Sequence, residues 1–400
     1  MIGLPRARTR ARTVALVASA LVLALGASGC AASTSGSLQS PTHTAGPTRT
    51  PTPTPTVDPV TAFARARVAT MTLREQVASL FMLHQPGTDG VALRSFIDQY
   101  GAGGMILMGD NIPPTPEALA AQTAAMTSDP LLPPLIAIDE EGGDVTRLPW
   151  DTLPGATALR AQPAETTQSV FAQRAALLKN AGVTVNFGTV ADVTADPRSF
   201  IFDRVLGTTP SEAAPHVSAS VAGERGTVFS TLKHFPGHGE TDADSHLTVP
   251  TTPVSIQGWT AQDAPPFAAG IAAGAEFVMF GHLVYSAVDG APASLSTAWH
   301  SILSEQLGFH GVAITDDMRM LQDTGLPEYQ NPVENTVRAL AAGNTMVLFV
   351  LPANPAASGL DPNALVDGVV AAVQAGRIPA AQIETDARKL LELRRSLGSE

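Results

Sequence analysis

The sequence predicts an α/β chain folded as a single (β/α)8 TIM-type barrel. Three observations predict it. Eight short β-rich apolar runs recur along the chain, starting about 25 to 50 residues apart. Alanine-rich helical stretches lie between them. Each run ends in polar or glycine residues. Buried parallel strands read as continuous apolar runs, and alternation with helices means βαβ units, so eight units point to a closed barrel. The alternative is an open, doubly wound sheet.

Taken in order, the chain opens with Arg6, Arg8, Arg10 and Arg12, then an apolar run from Val14 to Ala27. That run is short of the ~20 residues a spanning helix needs and reads as an export signal over residues 1–29. Ala27-Ser28-Gly29-Cys30 resembles a bacterial lipoprotein signal, with Cys30, the single cysteine of the chain, as its lipidation site. The other reading is an ordinary secretory signal with an incidental cysteine. Residues 30–58 are Ser/Thr/Pro-rich, as in Thr50-Pro51-Thr52-Pro53-Thr54-Pro55, and predict an extended tether that cannot form a core. Together these features predict an extracytoplasmic protein, lipid-anchored to the cell membrane, or secreted if Cys30 carries no lipid.

The folded domain is then residues 59–400. Its expected strands are Ala78–Leu83, Gly104–Met108, Leu135–Ile138, Thr184–Phe187, Thr231–Lys233, Glu276–Phe280, Gly311–Thr315 and Thr345–Val350. Expected helices include Pro116–Met126, Glu165–Ala181, Pro265–Ala273, Val333–Ala342, Ala364–Ala375 and Asp386–Leu397.

Composition excludes several classes. A hydrophobic fraction of 44% rules out disorder throughout. One cysteine rules out a disulfide framework or a Cys-based zinc cluster. The formal net charge is −12, and without the signal's four arginines 20 basic residues face 36 acidic ones. Such a body is a poor general binder of nucleic acid.

The chemistry-bearing residues cluster after strand ends, which a barrel brings to one face. Asp316 and Asp317 close the seventh run. Asp316 there is either a nucleophile or general base, or a helix cap, and Asp317 suits the cap better. The fifth run leads into Lys233-His234-Phe235-Pro236-Gly237-His238-Gly239-Glu240, then Asp244-Ser245-His246. Only three lysines occur in the chain, so one at a strand end is not filler. Asp244 and His246 are spaced to hydrogen-bond in a turn, an arrangement that makes His an acid/base. Rival readings are a metal site on His234 and His238, or a surface loop. The third run closes on Asp139-Glu140-Glu141-Gly142-Gly143, with Arg147 beyond. Asp139 can accept from two sugar hydroxyls, with Arg147 paired to it or to ligand; calcium binding by the acidic trio is the alternative.

These segments together resemble family 3 glycoside hydrolases, in their N-acetyl-β-hexosaminidase branch, over about Met71 to Leu397. The motifs are Lys233 to His246, Asp139-Glu-Glu-Gly-Gly with Arg147, Ile314-Thr-Asp-Asp-Met318, Met71-Thr-Leu, Asp203-Arg204, and Met279 with His282. Asp144 and Thr345 depart from the family pattern, which implies altered outer-pocket contacts. The resemblance implies that Asp316 is the nucleophile, that His246 held by Asp244 is the acid/base, and that Asp139, Arg147, Arg204, Lys233 and His234 bind sugar. It implies a mobile Asp244–His246 loop and no metal or cofactor; the residues after the eighth run are expected to leave no room for the second α/β domain that many family members carry. The activity implied is a retaining exo-β-N-acetylglucosaminidase acting on N-acetylglucosamine-containing glycans or muropeptides, through a covalent glycosyl-aspartate. A phosphorylase of the same branch and a non-catalytic sugar-binding lipoprotein are the alternatives.

Overall fold

The computed structural model describes residues 58–398 apart from Asp242. The expected signal, Cys30 and the tether up to residue 57 lie outside the described residues.

Eight strands form a closed barrel: β1 Phe81–Leu83, β2 Gly104–Leu107, β3 Leu135–Ile138, β4 Val185–Val190, β5 Phe229–Phe235, β6 Phe277–Phe280, β7 Val312–Asp317 and β8 Met346–Phe349. Every neighbour pair is parallel and consecutive in sequence, and β1 closes on β8 with Phe81 beside Val347. Helices return the chain outside the barrel after each strand. The sequence shows how four of them start. Thr115, Thr209, Asn331 and Asp361 each precede a proline, and each side chain accepts a backbone N–H of the first turn. The cap satisfies an orphan donor, and the proline's fixed φ suits the first helical position.

Helices also segregate the aromatic residues. Phe235 turns away from the barrel axis into a cluster of edge-on rings, with Phe280, Phe267, Trp299 and Trp259 at 5.0 to 5.9 Å. Ile106, Met279 and Leu348 pack in the main core and form the apolar floor of a cavity at the C-terminal end.

Expected boundaries are corrected at several points, and the last helix begins at Ala380 instead of Asp386. Ala78 ends a helix, Leu73–Ala78, instead of opening β1; Thr72 and Glu75 form a reciprocal capping box that starts this helix. β4 runs to Val190, past Gly188, where the apolar run alone stops at Phe187. β5 runs on to Phe235, so its last residues belong to the site. A two-residue parallel ribbon, Thr251–Thr252 with Val284–Tyr285, was not foreseen; it ties the long loop after β5 to the loop after β6.

Candidate active site

The strand ends deliver their polar residues to one cavity of about 220 Å³. It is smaller than the ~300–1,000 Å³ of drug-sized sites and suits one ring-sized ligand. Asp139, Arg147, Arg204, Lys233, His234, His246, Asp316 and Asp317 all line it. Asp244 does not line it but holds His246 from behind. A larger depression of about 460 Å³, bordered by Arg67, Asp98 and Arg394, contains none of these residues.

One wall is a lattice of paired charges. Lys233 Nζ donates to Asp139 Oδ1 at 2.8 Å and contacts Glu141 Oε1 at 2.6 Å. Arg204 grips Glu141 with two parallel bonds, Nε to Oε2 at 2.9 Å and Nη2 to Oε1 at 2.7 Å. Such a fork fixes the guanidinium plane. Burial opposes the charge on Asp139 and Glu141, yet Lys233 and Arg204, joined at Asp139 by Arg147, hold both carboxyls below their ordinary values. Arg147 is the loosely held cation: it reaches Asp139 Oδ2 at 3.5 Å, and its Nε is buried without a partner.

His234 is aimed by Asp192, beyond the end of β4. The carboxylate accepts from His234 Nδ1 at 2.7 Å, from the His234 N–H at 3.1 Å and from the His238 N–H at 2.7 Å. The turn behind is held by Trp259 Nε1 and Tyr285 Oη, which donate to the carbonyls of Pro236 and Gly237 at 2.8 Å each. Gly237 sits at φ +135°, and a Cβ there would lie 2.7 Å from Asp263. Lys233 and His234 both line the cavity, and the peptide between them is cis.

At the end of β7, burial works against the charge of Asp316. His234, His282 and the Asp317 N–H outweigh it, and its carboxyl stays below the ordinary value. Asp317 goes the other way: burial pushes it up to about 7. Its Oδ1 accepts from Arg319 N–H at 3.1 Å and Val350 N–H at 2.9 Å, so it braces the loop after β7 against the end of β8. His282 Nε2 lies 2.9 Å from the Asp317 carbonyl, which can only accept. That bond puts the ring proton on Nε2 and leaves Nδ1 to accept from Ser294 Oγ at 2.7 Å.

His246 stands on the loop after β5, with its side chain 63% exposed. Its Nδ1 lies 2.7 Å from Asp244 Oδ1, which also accepts the His246 N–H at 2.9 Å. Those bonds overcome partial burial and hold the Asp244 carboxyl below its ordinary value. The arrangement presents Nε2 outward for proton transfer.

The two ion-binding readings of these segments do not match the geometry. Asp139 and Glu141 face Lys233, but Glu140 points into the core, so the acidic trio does not converge. His238 is buried behind the site with its ring edge-on to Phe200. Among the described residues no group of three His, Cys, Asp or Glu side chains is placed to hold a metal ion. Sequence reasoning missed Asp192, Glu141 and Glu140 as site-building residues. Asp192 had a signal, a carboxylate just past a strand end, hidden by ending β4 too early.

The chain matches the model of the glycosyl hydrolase family 3 N-terminal domain over residues 72–393. It is 31% identical over 284 residues to beta-hexosaminidase A of Pseudoalteromonas piscicida, covering 64% of this chain and 47% of that protein. It is 32% identical over 263 residues to a beta-hexosaminidase of Methylococcus capsulatus, covering 64% and 77%. Among solved structures, a family 3 beta-N-acetylglucosaminidase from a Paenibacillus species superposes with TM-score 0.76 at 30% identity, covering 83% of this chain and 64% of that one. The chain thus spans about half the length of the first relative and just under two thirds of this structure.

Proposed function

Because the chain belongs to glycosyl hydrolase family 3, we propose that it is a retaining exo-β-N-acetylglucosaminidase that removes terminal β-linked N-acetylglucosamine through a covalent glycosyl-aspartate. The observation that carries the reading is the pairing of two groups at one cavity: a half-buried Asp316 kept in its ionised form, and His246 backed by the Asp244 carboxylate. The named activity of the relatives supports the substrate class.

In this reading Asp139 accepts from sugar hydroxyls, while Arg147, Arg204, Lys233 and His234 donate to them or to the ring's substituents. Binding at these fixed dipoles orients the anomeric carbon over Asp316. Asp316 attacks that carbon as the bond to the leaving oxygen breaks, and His246 gives its proton to that oxygen. The neutral imidazole then takes a proton from water, which displaces Asp316 from the sugar. Two displacements retain the β-configuration. The Asp244 carboxylate stabilises the imidazolium in each half-reaction.

The reading extends to setting. The export signal, Cys30 and the tether support a protein held outside the cytoplasmic membrane by a lipid, and cell-wall fragments are the substrates such a position offers. Loss of metabolic fatty-acid labelling in Cys30→Ser tests the anchor; unlabelled wild type overturns it.

The activity is tested by turnover of an aryl N-acetyl-β-glucosaminide, with the product anomer read by NMR. The β-anomer of N-acetylglucosamine, released without need of phosphate, is expected. Release of a sugar phosphate only when phosphate is added would replace hydrolysis with phosphorolysis. Ligand binding without turnover would leave a sugar-binding protein.

A further inference from the structure

Lys233 and Arg204 are aimed by their own ion pairs, but Arg147 is not. Among the described residues its side chain makes one polar contact, the 3.5 Å approach to Asp139, and its Nε is buried with no hydrogen-bond partner. What fixes Arg147 is therefore its backbone, and that backbone is held by one side chain. Glu140 Oε2 accepts from the Arg147 N–H at 2.9 Å and from the Leu148 N–H at 3.0 Å.

Glu140 is itself clamped. It is fully buried, its N–H donates to Asn186 Oδ1 at 3.2 Å, and its carbonyl accepts from Asn186 Nδ2 at 3.1 Å. It lies between Asp139 and Glu141 in sequence yet faces the opposite way, so its side chain ties the segment that carries the sugar-facing carboxylate to the returning segment at Arg147 itself, beyond the Val145 carbonyl that the Glu141 and Gly142 N–H groups hold at 3.0 and 3.1 Å. We propose that Glu140 is a positioning residue for Arg147, setting its reach across the cavity toward a sugar bound at Asp139. This rests on the reading that Asp139 and Arg147 bind the sugar.

The chemistry that Glu140 needs is two acceptor lone pairs, not a charge. Among the described residues no cation pairs with it. The neighbouring Asp151 is committed to Arg174 at 2.7 Å. Burial and the Asp151 charge push the Glu140 carboxyl up to about 7 against the pull of the two N–H groups. A glutamine offers the same acceptor and cannot ionise. An alanine leaves two buried N–H groups without a partner, and an unpartnered donor relaxes toward whatever oxygen it can reach.

The experiment is a double-mutant cycle in the full chain: wild type, Glu140→Ala, Arg147→Ala and the pair, with Glu140→Gln beside them. The readouts are kcat and KM for an aryl N-acetyl-β-glucosaminide and the Kd for N-acetylglucosamine. Glu140→Ala is expected to lower kcat/KM about tenfold, mostly through KM, while the same change on top of Arg147→Ala is expected to lower it less than about twofold. Glu140→Gln is expected to restore most of the loss. Equal losses in both backgrounds would make Glu140 merely structural and overturn the inference, as would a glutamine variant as impaired as the alanine one. Should Glu140→Ala not fold, Glu140→Asn, one methylene short of the two N–H groups, takes its place in the cycle. A wild type with no turnover would defeat the catalytic reading alone; the same cycle read as Kd would still decide the positioning.

Discussion

The backbone N–H of Asp317 donates to Asp316 Oδ1 at 2.8 Å, and the two adjacent carboxyls titrate in opposite directions. Asp316 faces histidines and stays ionised; Asp317 has only backbone N–H groups and Arg319 to oppose its burial, and rises to about 7. Adjacent acids at one strand end are thereby given separate tasks. Asp316→Ala is expected to remove at least about 10³-fold of kcat with the fold intact. Asp317→Asn, which keeps an acceptor for Arg319 and Val350, is expected to lose far less. Steady-state kinetics with circular dichroism separates the two; equal losses would contradict the division.

In the proposed mechanism, removing His246 as acid/base should expose the two half-reactions. With His246→Ala, a substrate with a good leaving group needs no proton for the first step, but water still lacks its base in the second. A rapid burst of released aryl group followed by turnover slowed by about 10²-fold is expected in stopped-flow traces. Asp244→Ala should weaken both steps with less effect on KM. An unslowed His246→Ala on a poor leaving group would remove it from the mechanism.

Eight of the barrel's elements were legible in the sequence because buried parallel strands leave continuous apolar runs and the chain makes few exceptions. The first run was overextended at Ala78 because a buried helix turn and a buried strand look alike over a few apolar residues. Asp139, Lys233, His234 and Asp316 were legible because they stand at strand ends, where a barrel gathers them. Glu140 and Asp192 were not, since their work is done on backbone N–H groups, and no spacing announces a partner 42 residues away, as for Asp192 and His234.

Beneath the site, burial pushes Glu224 up to about 8, where it accepts from Asn186 Nδ2 at 2.6 Å. An unfolded glutamate titrates near ~4.3. Between these values the folded chain keeps a proton that the unfolded chain has released, so stability is present at the lower end and lost as pH rises through about 8. Glu224→Gln keeps the acceptor and has nothing to ionise. Its melting temperature relative to wild type is expected to improve by a few °C, about 2–4 °C, as pH rises across that window. Parallel melting curves for the two proteins would count against this account.

Gly237 tests the turn that carries the loop. At φ +135°, with Asp263 at 2.7 Å from a built Cβ, an alanine strains the backbone and displaces the carbonyl that Tyr285 holds. Gly237→Ala is expected to destabilise the protein by ~2–3 kcal/mol in denaturant melts and to lower kcat, because the turn leads directly to Asp244 and His246. Unchanged stability would mean the turn has room to move.

The most direct test of the central claim is to trap the intermediate. A fluorinated N-acetylglucosaminide that reacts quickly and hydrolyses slowly is mixed with the enzyme, and peptides are mapped by mass spectrometry. A single glycosyl mass on the peptide at Asp316, absent from Asp316→Ala, is the result predicted. A glycosyl mass on another residue, or turnover that inverts the anomeric configuration with no adduct, would contradict it.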